Sequence, residues 1–425
     1  MQSSNRAETE SVDRFNREAN LEARRNRTNK IILLFILFGG IFTFGMLSGV
    51  RGVTLTLIRA EYGADYTAQG TLLFITSFVN IAFTYGATFL LRRFGIKVSA
   101  LANFAISAVF LAVIMFTNSF ILVLAIYVII YSCYHHYTVN KNALFQSIFT
   151  VKFALWMSIL HAFFGLGSAA GPYVLSHLMN NLGFGWRQIY LTFSVPMAVF
   201  VLLTALSKFS YTSNSGQAAD KQADGGGTFK LTVKDSLKMP IVWLYAFCCS
   251  VSGAVEYSFN NWAITYLKDV FEIDPITTGA MIMSAYFVIF TISRLISGFV
   301  MEKFGYIRML VIFGIIELGL LIASFSLGAS GIWLLPVVGF TVAPFFPAQL
   351  ASMVKVFGRE SAIMMGAASL ITGAFSALTQ YAMGWINTLA GPVWGFRVIA
   401  IFPLASIILH FIFGKKLAGR YGGQV

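Results

Sequence analysis

Glu256 lies within SVSGAVEYSFNNWAITYL (residues 250–267), with long apolar sequence on both sides. An ionised carboxylate at the centre of a bilayer costs roughly 2.5 to 3.5 kcal/mol, so an acid placed there serves ions, protons or substrate. Cys249, Ser252, Gly253, Glu256 and Asn260 recur at helical spacing and make one polar stripe on an otherwise apolar helix, which should line a cavity. Glu256 is twelve residues from Lys268, about 18 Å at helical rise, which puts it near the middle of its span. A carboxyl so placed can cycle between protonated and ionised as the cavity opens and closes, although a permanently paired structural glutamate would read the same way in sequence.

Arg51 is the complementary feature. It sits in a glycine-rich segment (Gly39, Gly40, Gly45, Gly49, Gly52), eight residues and about 12 Å from Arg59. A guanidinium there can grip a carboxylate or phosphate bidentately; the alternative is a helix-end arginine reaching for headgroups. Because Arg51 and Glu256 have comparable depths, they are expected to pair when the outer ends of their helices approach, with substrate or proton competing for the same partners.

Other polar residues are candidates for ligand contact. His161 opens HAFFGLGSAAGP, whose glycines permit close helix approach, and could hydrogen-bond substrate or relay protons. His135 and His136 precede Asn140 in CYHHYTVNKN, and His136 and Asn140 join the substrate-binding candidates, with an interfacial role as the alternative for the histidines. Asn260, Asn261, Trp262 and Gln380 are further hydrogen-bonding or stacking candidates. Arg294 precedes Gly298 by one turn and is expected to close an inner gate with Glu302 or to meet an anion from below. Glu317 is expected to have a lipid-side or helix-pairing role. No Asp or Glu occurs between residues 66 and 219, which favours an anionic substrate or an acid supplied by the other half.

The elements that must position these groups follow from composition. Of 425 residues, 57% are hydrophobic and 11% charged, with mean hydropathy +0.75, values that fit a polytopic helical membrane protein and no soluble domain. The net charge of +13 suggests nucleic acid until its location is read: the charges sit at the ends of apolar segments. Cys133, Cys248 and Cys249 all fall inside spans and no metal-ligand spacing occurs, so neither metal nor cofactor is expected.

Apolar runs give twelve spans, roughly 31–58, 69–91, 98–117, 120–140, 155–178, 188–207, 240–266, 277–301, 307–327, 331–356, 361–387 and 395–414. With both termini cytosolic, the cytosolic segments hold 24 of the 30 Lys and Arg, while Arg59, Arg187, Lys268 and Arg397 are external and Arg51 and Arg294 lie within spans. The expected organisation is a basic tail (1–29), a six-helix bundle (30–209), a flexible linker (210–237), a second bundle (238–414) and a short tail (415–425). A short surface helix is expected around Val233 to Leu237.

The halves repeat. LLRRFGIK (90–97) follows span two and GFVMEKFGYIR (298–308) follows span eight, so RFG and KFG stand 210 residues apart. Gly298-x-x-x-Glu302-Lys303-x-Gly305 resembles the cytoplasmic loop signature of the major facilitator superfamily, G-x-x-x-D-R/K-x-G, whereas the first copy keeps only Arg93 and Gly95. The resemblance covers the whole chain. It implies an all-α integral membrane protein with twelve transmembrane helices in two pseudo-symmetric six-helix bundles, working by alternating access, with Gly298, Glu302, Lys303 and Gly305 in gating. LHAFFGLGSAAGP, YHHYTVNKN, EYSFNNW and PFFP (344–347) weakly resemble the fucose:proton symporter-like branch, whose members carry sugars. Anion transporters of the superfamily are similar in using a first-span arginine.

The expected function is therefore a secondary active transporter, proton-coupled, for a small polar solute: a small organic anion, or alternatively a sugar. A transport-incompetent receptor or lipid-binding scaffold on the same fold is the reading from another class. No HExxH, paired-Asp, Ser/His or P-loop pattern supports an enzyme or primary pump, and no charged rings support a channel. The partners expected are solute, protons and lipid, without nucleic acid. The protein is expected as a monomer in the cell membrane.

Overall fold

In hydrocarbon the backbone must satisfy its own hydrogen bonds, so each long apolar run becomes a helix. The computed structural model describes residues 2–149, 151, 153–209 and 232–421. In the first half the helices are α1 (Gln2–Glu61), α2 (Tyr66–Val113), α3 (Phe120–Ile148), α4 (Phe153–Leu182) and α5 (Trp186–Leu206). After the short α6 (Val233–Ser236) come α7 (Pro240–Phe271), α8 (Ala280–Phe304), α9 (Tyr306–Ser326), α10 (Leu335–Val342), α11 (Phe345–Phe357), α12 (Ser361–Arg397) and α13 (Ile401–Tyr421). α6 is the expected surface helix, capped by Thr232, whose Oγ1 accepts from the Asp235 amide at 3.1 Å. Most of the expected linker, and residues 422–425 of the expected tail, lie outside the described residues.

Ten helical stretches among the described residues are long and apolar enough to cross a membrane. Two are double: α2 turns back at Gly95 (φ 81°), and the last stretch turns back at Gly391 (φ 82°). Ten stretches with two of them folded give the twelve crossings. Gly305 (φ 90°) separates α8 from α9, so the glycines of the RFG and KFG triplets both adopt left-handed backbone where each half makes its equivalent turn. With an even number of crossings both termini lie on one face, called here the terminal face; the opposite one is the far face.

Membrane helices gain little from burial, so close backbone approach decides which pairs hold. α1 and α4 meet through reciprocal glycines. A Cβ on Gly45 or Gly49 would strike the carbonyl oxygens of Phe164 or Ser168, and one on Gly167 or Gly171 would strike those of Phe42 or Met46. The glycine-rich character of both segments thus builds the first half.

The halves are joined toward the far face. Arg59 on α1 forms an ion pair with Asp269 on α7, and Tyr66 donates to the same carboxylate at 3.0 Å while its ring lies 4.4 Å beneath the Arg59 guanidinium. Thr56 and Thr265 hydroxyls are 3.0 Å apart, Gln69 Nε2 donates to the Asn261 carbonyl at 3.1 Å, and the Thr67 amide donates to Thr388 Oγ1 at 3.1 Å. On α2 and α12, Gly70 and Gly384 face each other so closely that a Cβ on either would lie under 3 Å from the partner's backbone. The innermost such bond runs from Asn260 Nδ2 to Ser48 Oγ at 3.2 Å. Nearer the terminal face, no hydrogen bond or ion pair between described residues joins the halves.

Two outcomes follow from this packing. Gly49→Leu should destabilise detergent-solubilised protein by about 1–3 kcal/mol through overpacking, whereas Gly86→Leu, where a Cβ meets nothing within 4 Å, should leave the unfolding midpoint nearly unchanged. A Thr67→Cys/Thr388→Cys pair should crosslink on mild oxidation, because the two hydroxyls stand 2.8 Å apart. That crosslink should arrest transport until reductant is added, as measured by uptake into proteoliposomes.

Candidate functional site

The far-face contacts leave a cleft between the halves that opens toward the terminal face. Tyr257 shows it most directly. The residue is 44% exposed, yet it stands within charge range of Tyr134 and Arg51 from the opposite half as well as of Glu256. An exposed residue in the middle of a span, flanked by both halves, borders open space and not lipid.

α3 supplies one wall. Tyr127, Tyr131, Tyr134, Thr138 and Lys141 recur at i, i+4, i+7, i+11 and i+14, one face of a helix. Arg51 lies against the upper part of this face: its Nε donates to the Tyr127 hydroxyl at 3.2 Å, and its guanidinium stacks 4.6 Å over the Tyr131 ring. The Tyr131 hydroxyl donates to the Leu47 carbonyl at 3.2 Å and lies 3.1 Å from that of Tyr190, so the cation rests on a bonded platform. Below it, Tyr134 stacks on Phe164 at 5.2 Å. Farther down comes Lys141, only 3% exposed and without a hydrogen-bond or ion-pair partner for its side chain among the described residues. His161 on α4 lies within charge range of both Lys141 and Arg294.

The second half supplies Glu256, Tyr257 and Arg294. Pro347 has no N–H, so the Ala343 carbonyl four residues earlier loses its helical partner at the junction of α10 and α11. Arg294 Nε donates to that carbonyl at 3.3 Å and its guanidinium stacks 4.4 Å over Phe290. From there it reaches across: Tyr134 lies within charge range of both Arg294 and Glu256.

Arg51, Arg294 and Glu256, each partly exposed, border the cleft, Lys141 is buried near His161 behind it, and none of the four is in an ion pair with a described residue. The expected pairing of Arg51 with Glu256 is not formed in this far-face-closed structure. Arg51 is turned onto α3 of its own half, and the charge acting on Glu256 is that of Arg294. The pair that joins α1 to α7 is Arg59 with Asp269, two turns farther out. The close approach of Gly52 to the Asn260 carbonyl places Arg51 about one turn from the level of Glu256, so the expected similarity of depth stands.

The remaining candidates separate by what their side chains already do. His136 and Asn140 are buried against α2, where Ser99 Oγ donates to Asn140 Oδ1 at 2.7 Å and stands 3.1 Å from His136 Nε2. Asn261 Nδ2 and Trp262 Nε1 both donate to Gln380 Oε1, at 3.0 and 2.9 Å, tying α7 to α12. All five bond to protein, while Asn140 Nδ2, Asn261 Oδ1 and Gln380 Nε2 keep no partner among the described residues. Ser252 is likewise taken up by Gln349, whose Nε2 donates to it at 2.8 Å. Asn260 bridges to Ser48 but keeps its Oδ1 unpartnered. His161 remains free to meet a ligand.

Arg294 and Glu302 do not form the expected inner-gate pair: eight residues of one helix separate them by about 12 Å, and Arg294 is held by Ala343. Glu302 and Lys303 are exposed, with Lys303 over the Phe304 ring at 5.3 Å. A Cβ on Gly298 would meet nothing within 4 Å. Glu317 is 2% exposed, so it faces protein and not lipid, and its Oε1 has no partner. Lys141 and the tyrosine stripe escape the sequence reading, because a lysine near a span end is taken for a topological charge. The stripe's spacing of alternately four and three residues from Tyr127 to Lys141 is the signal that would have found them.

Solved structures resemble the fold across nearly the full length. The nucleoside transporter NupG superposes with a TM-score of 0.70 at 16% identity, covering 91% of this chain and 98% of that one. A bacterial homologue of the human lysosomal transporter Spinster, inward-facing and unoccupied, gives 0.69 at 13% identity, covering 93% and 99%. The E. coli fucose:proton symporter FucP, as its N162A variant, gives 0.60 at 14% identity, covering 92% and 99%. At such identities the likeness is one of fold. No curated protein matches the chain by sequence. The family model of the Major Facilitator Superfamily matches residues 36–338, most of the chain, and together with the twelve crossings and the repeated glycine turn it establishes that this chain belongs to that superfamily.

Proposed function

We propose that this transporter moves a small organic anion of carboxylate or phosphate type by alternating access. One observation carries the reading: Arg51 and Arg294 border the cleft, with Lys141 buried close by, against the single acid Glu256, all without ion-pair partners among the described residues. Unpaired charge in a low-dielectric setting is costly, and an anion entering the cleft offsets an excess of two positive charges. A neutral solute would leave that excess standing. A sugar is the alternative reading: His136 and Asn140, which resemble the symporter segment, bond to Ser99, yet Asn140 Nδ2 keeps no partner among the described residues.

With the termini cytosolic in the cell membrane, as the distribution of Lys and Arg supports, the cleft opens inward and the Arg59–Asp269 layer seals the outside. The two halves rock about the Gly70–Gly384 and Gly52–Asn260 contacts. Glu256, the lone acid of the cleft, is the group through which a proton couples to the solute.

Thermal unfolding of purified protein against carboxylates, phosphates, amino acids and sugars tests the substrate class. A bound anion at a hundredfold excess over its Kd should stabilise by about 2.7 kcal/mol, and Arg51→Ala or Lys141→Met should abolish the shift. Stabilisation by neutral sugars that survives both substitutions would overturn the anion reading. Coupling is tested separately with Glu256→Gln, which should lose proton-driven uptake in proteoliposomes while keeping exchange of labelled for unlabelled solute. Loss of both activities by a folded variant would contradict that role.

A further inference from the structure

We propose that the terminal face is closed by an ion pair between Arg92 on α2 and Glu360 at the start of α12, the last rung of a seam that is only partly zipped in this structure. The inference needs the alternation of the two halves and no particular solute. It follows from register. α2 runs from the far face to Gly95, α12 runs the opposite way, and four contacts pair them. The Thr67 and Thr388 hydroxyls are 2.8 Å apart, a Cβ on Gly70 would lie 2.9 Å from Gly384 Cα, the Phe74 and Tyr381 rings are 5.8 Å apart, and a Cβ on Gly373 would lie 3.8 Å from Ile81 Cδ1. From Gly70 to Ile81 is eleven residues, and so is the step from Gly384 back to Gly373. Eleven residues make about three turns, so equal steps along both helices return to the sides that face each other.

Continued past Ile81 and Gly373, the same register reaches residues that stand apart here and meet when the terminal face closes. Seven residues on, about two turns, Thr88 comes opposite Gly366, which is exposed and on which a Cβ would meet nothing within 4 Å. Eleven residues on, Arg92 comes opposite position 362, and Glu360 stands two residues, about 3 Å of helical rise, beyond it. An arginine side chain spans that offset, whereas Arg93 is turned about 100° from the seam. Arg92 and Glu360 are both exposed, and neither is hydrogen-bonded or ion-paired with a described residue. The other described acids on this face of the second half belong elsewhere. Asp235 pairs with Lys238, and Glu302 lies eleven residues past Thr291, the residue that α8 presents to Gly165 of α4. An ion pair at the rim, open to water, is weak, which suits a contact that breaks in every cycle.

Register and charge are tested separately on full-length protein in proteoliposomes, with Cys133, Cys248 and Cys249 replaced by alanine. A Thr88→Cys/Gly366→Cys pair should form a disulfide on mild oxidation, and its failure to form would overturn the continued seam. Spin labels on Val98→Cys and Val354→Cys, exposed positions in opposite halves, should show by pulsed electron resonance a short-distance population that reports the closed terminal face. Arg92→Glu and Glu360→Arg should each lower that population about two- to fivefold, the worth of an exposed ion pair. The double exchange should restore it, which excludes a folding defect as the cause. Populations unchanged in the single variants, or a double exchange no better than either, would overturn the ion pair.

Discussion

The rest of the structure depends on the cost of leaving charge unpaired inside a membrane protein. Arg51, Lys141, Arg294 and Glu256 all sit in or near spans, and the fold satisfies them only partly, through a tyrosine hydroxyl, aromatic faces and one freed carbonyl. Each arginine is held by a single hydrogen bond and by aromatic rings, two for Arg51 and one for Arg294, which leaves most of its donors directed elsewhere. Such groups are stable only beside an aqueous cleft, and they make that cleft attractive to a ligand of the opposite sign. The closed far face fits the same logic. The one ion pair that joins the halves among the described residues, Arg59 with Asp269, lies where water can help solvate the charges whenever the contact parts.

Geometry divides labour among elements. The glycine pairs of α1 and α4 hold the first half together, and Gly70 with Gly384, Gly52 beside Asn260 and Gly165 beside Thr291 let the halves touch. Polar bonds within a half, such as Ser99 with Asn140 or Gln380 with Asn261 and Trp262, fix helix against helix and are not exchanged when the halves move. The bonds between halves are few, cluster toward the far face and are chiefly between neutral groups, which suits a contact that must open and close.

Much of this was legible in the sequence, for physical reasons. Hydrocarbon forces long apolar runs into helices, so the crossings and the RFG and KFG turns could be read directly, and Gly95 and Gly305 adopt the same left-handed backbone. Arg51, His161, Glu256 and Arg294 were visible as polar groups in apolar surroundings. Which way each side chain turns was not. Asn140 and Trp262 look the same in sequence whether they meet a ligand or a neighbouring helix, and only helix rotation, set by packing, sends them to Ser99 and Gln380. Arg59 reads only as an external charge, because its pairing with Asp269 joins residues 210 positions apart. Lys141 was hidden among topological lysines although it is almost wholly buried.

Counterflow tests the central claim most directly, because exchange requires recognition and alternation but no driving gradient. Proteoliposomes loaded with a carboxylate would be offered the same labelled carboxylate or its neutral amide. The cleft described here predicts accumulation of the labelled carboxylate and none of the amide. Exchange of the amide or of a sugar, with carboxylates inert, would contradict an account built on Arg51, Lys141 and Arg294.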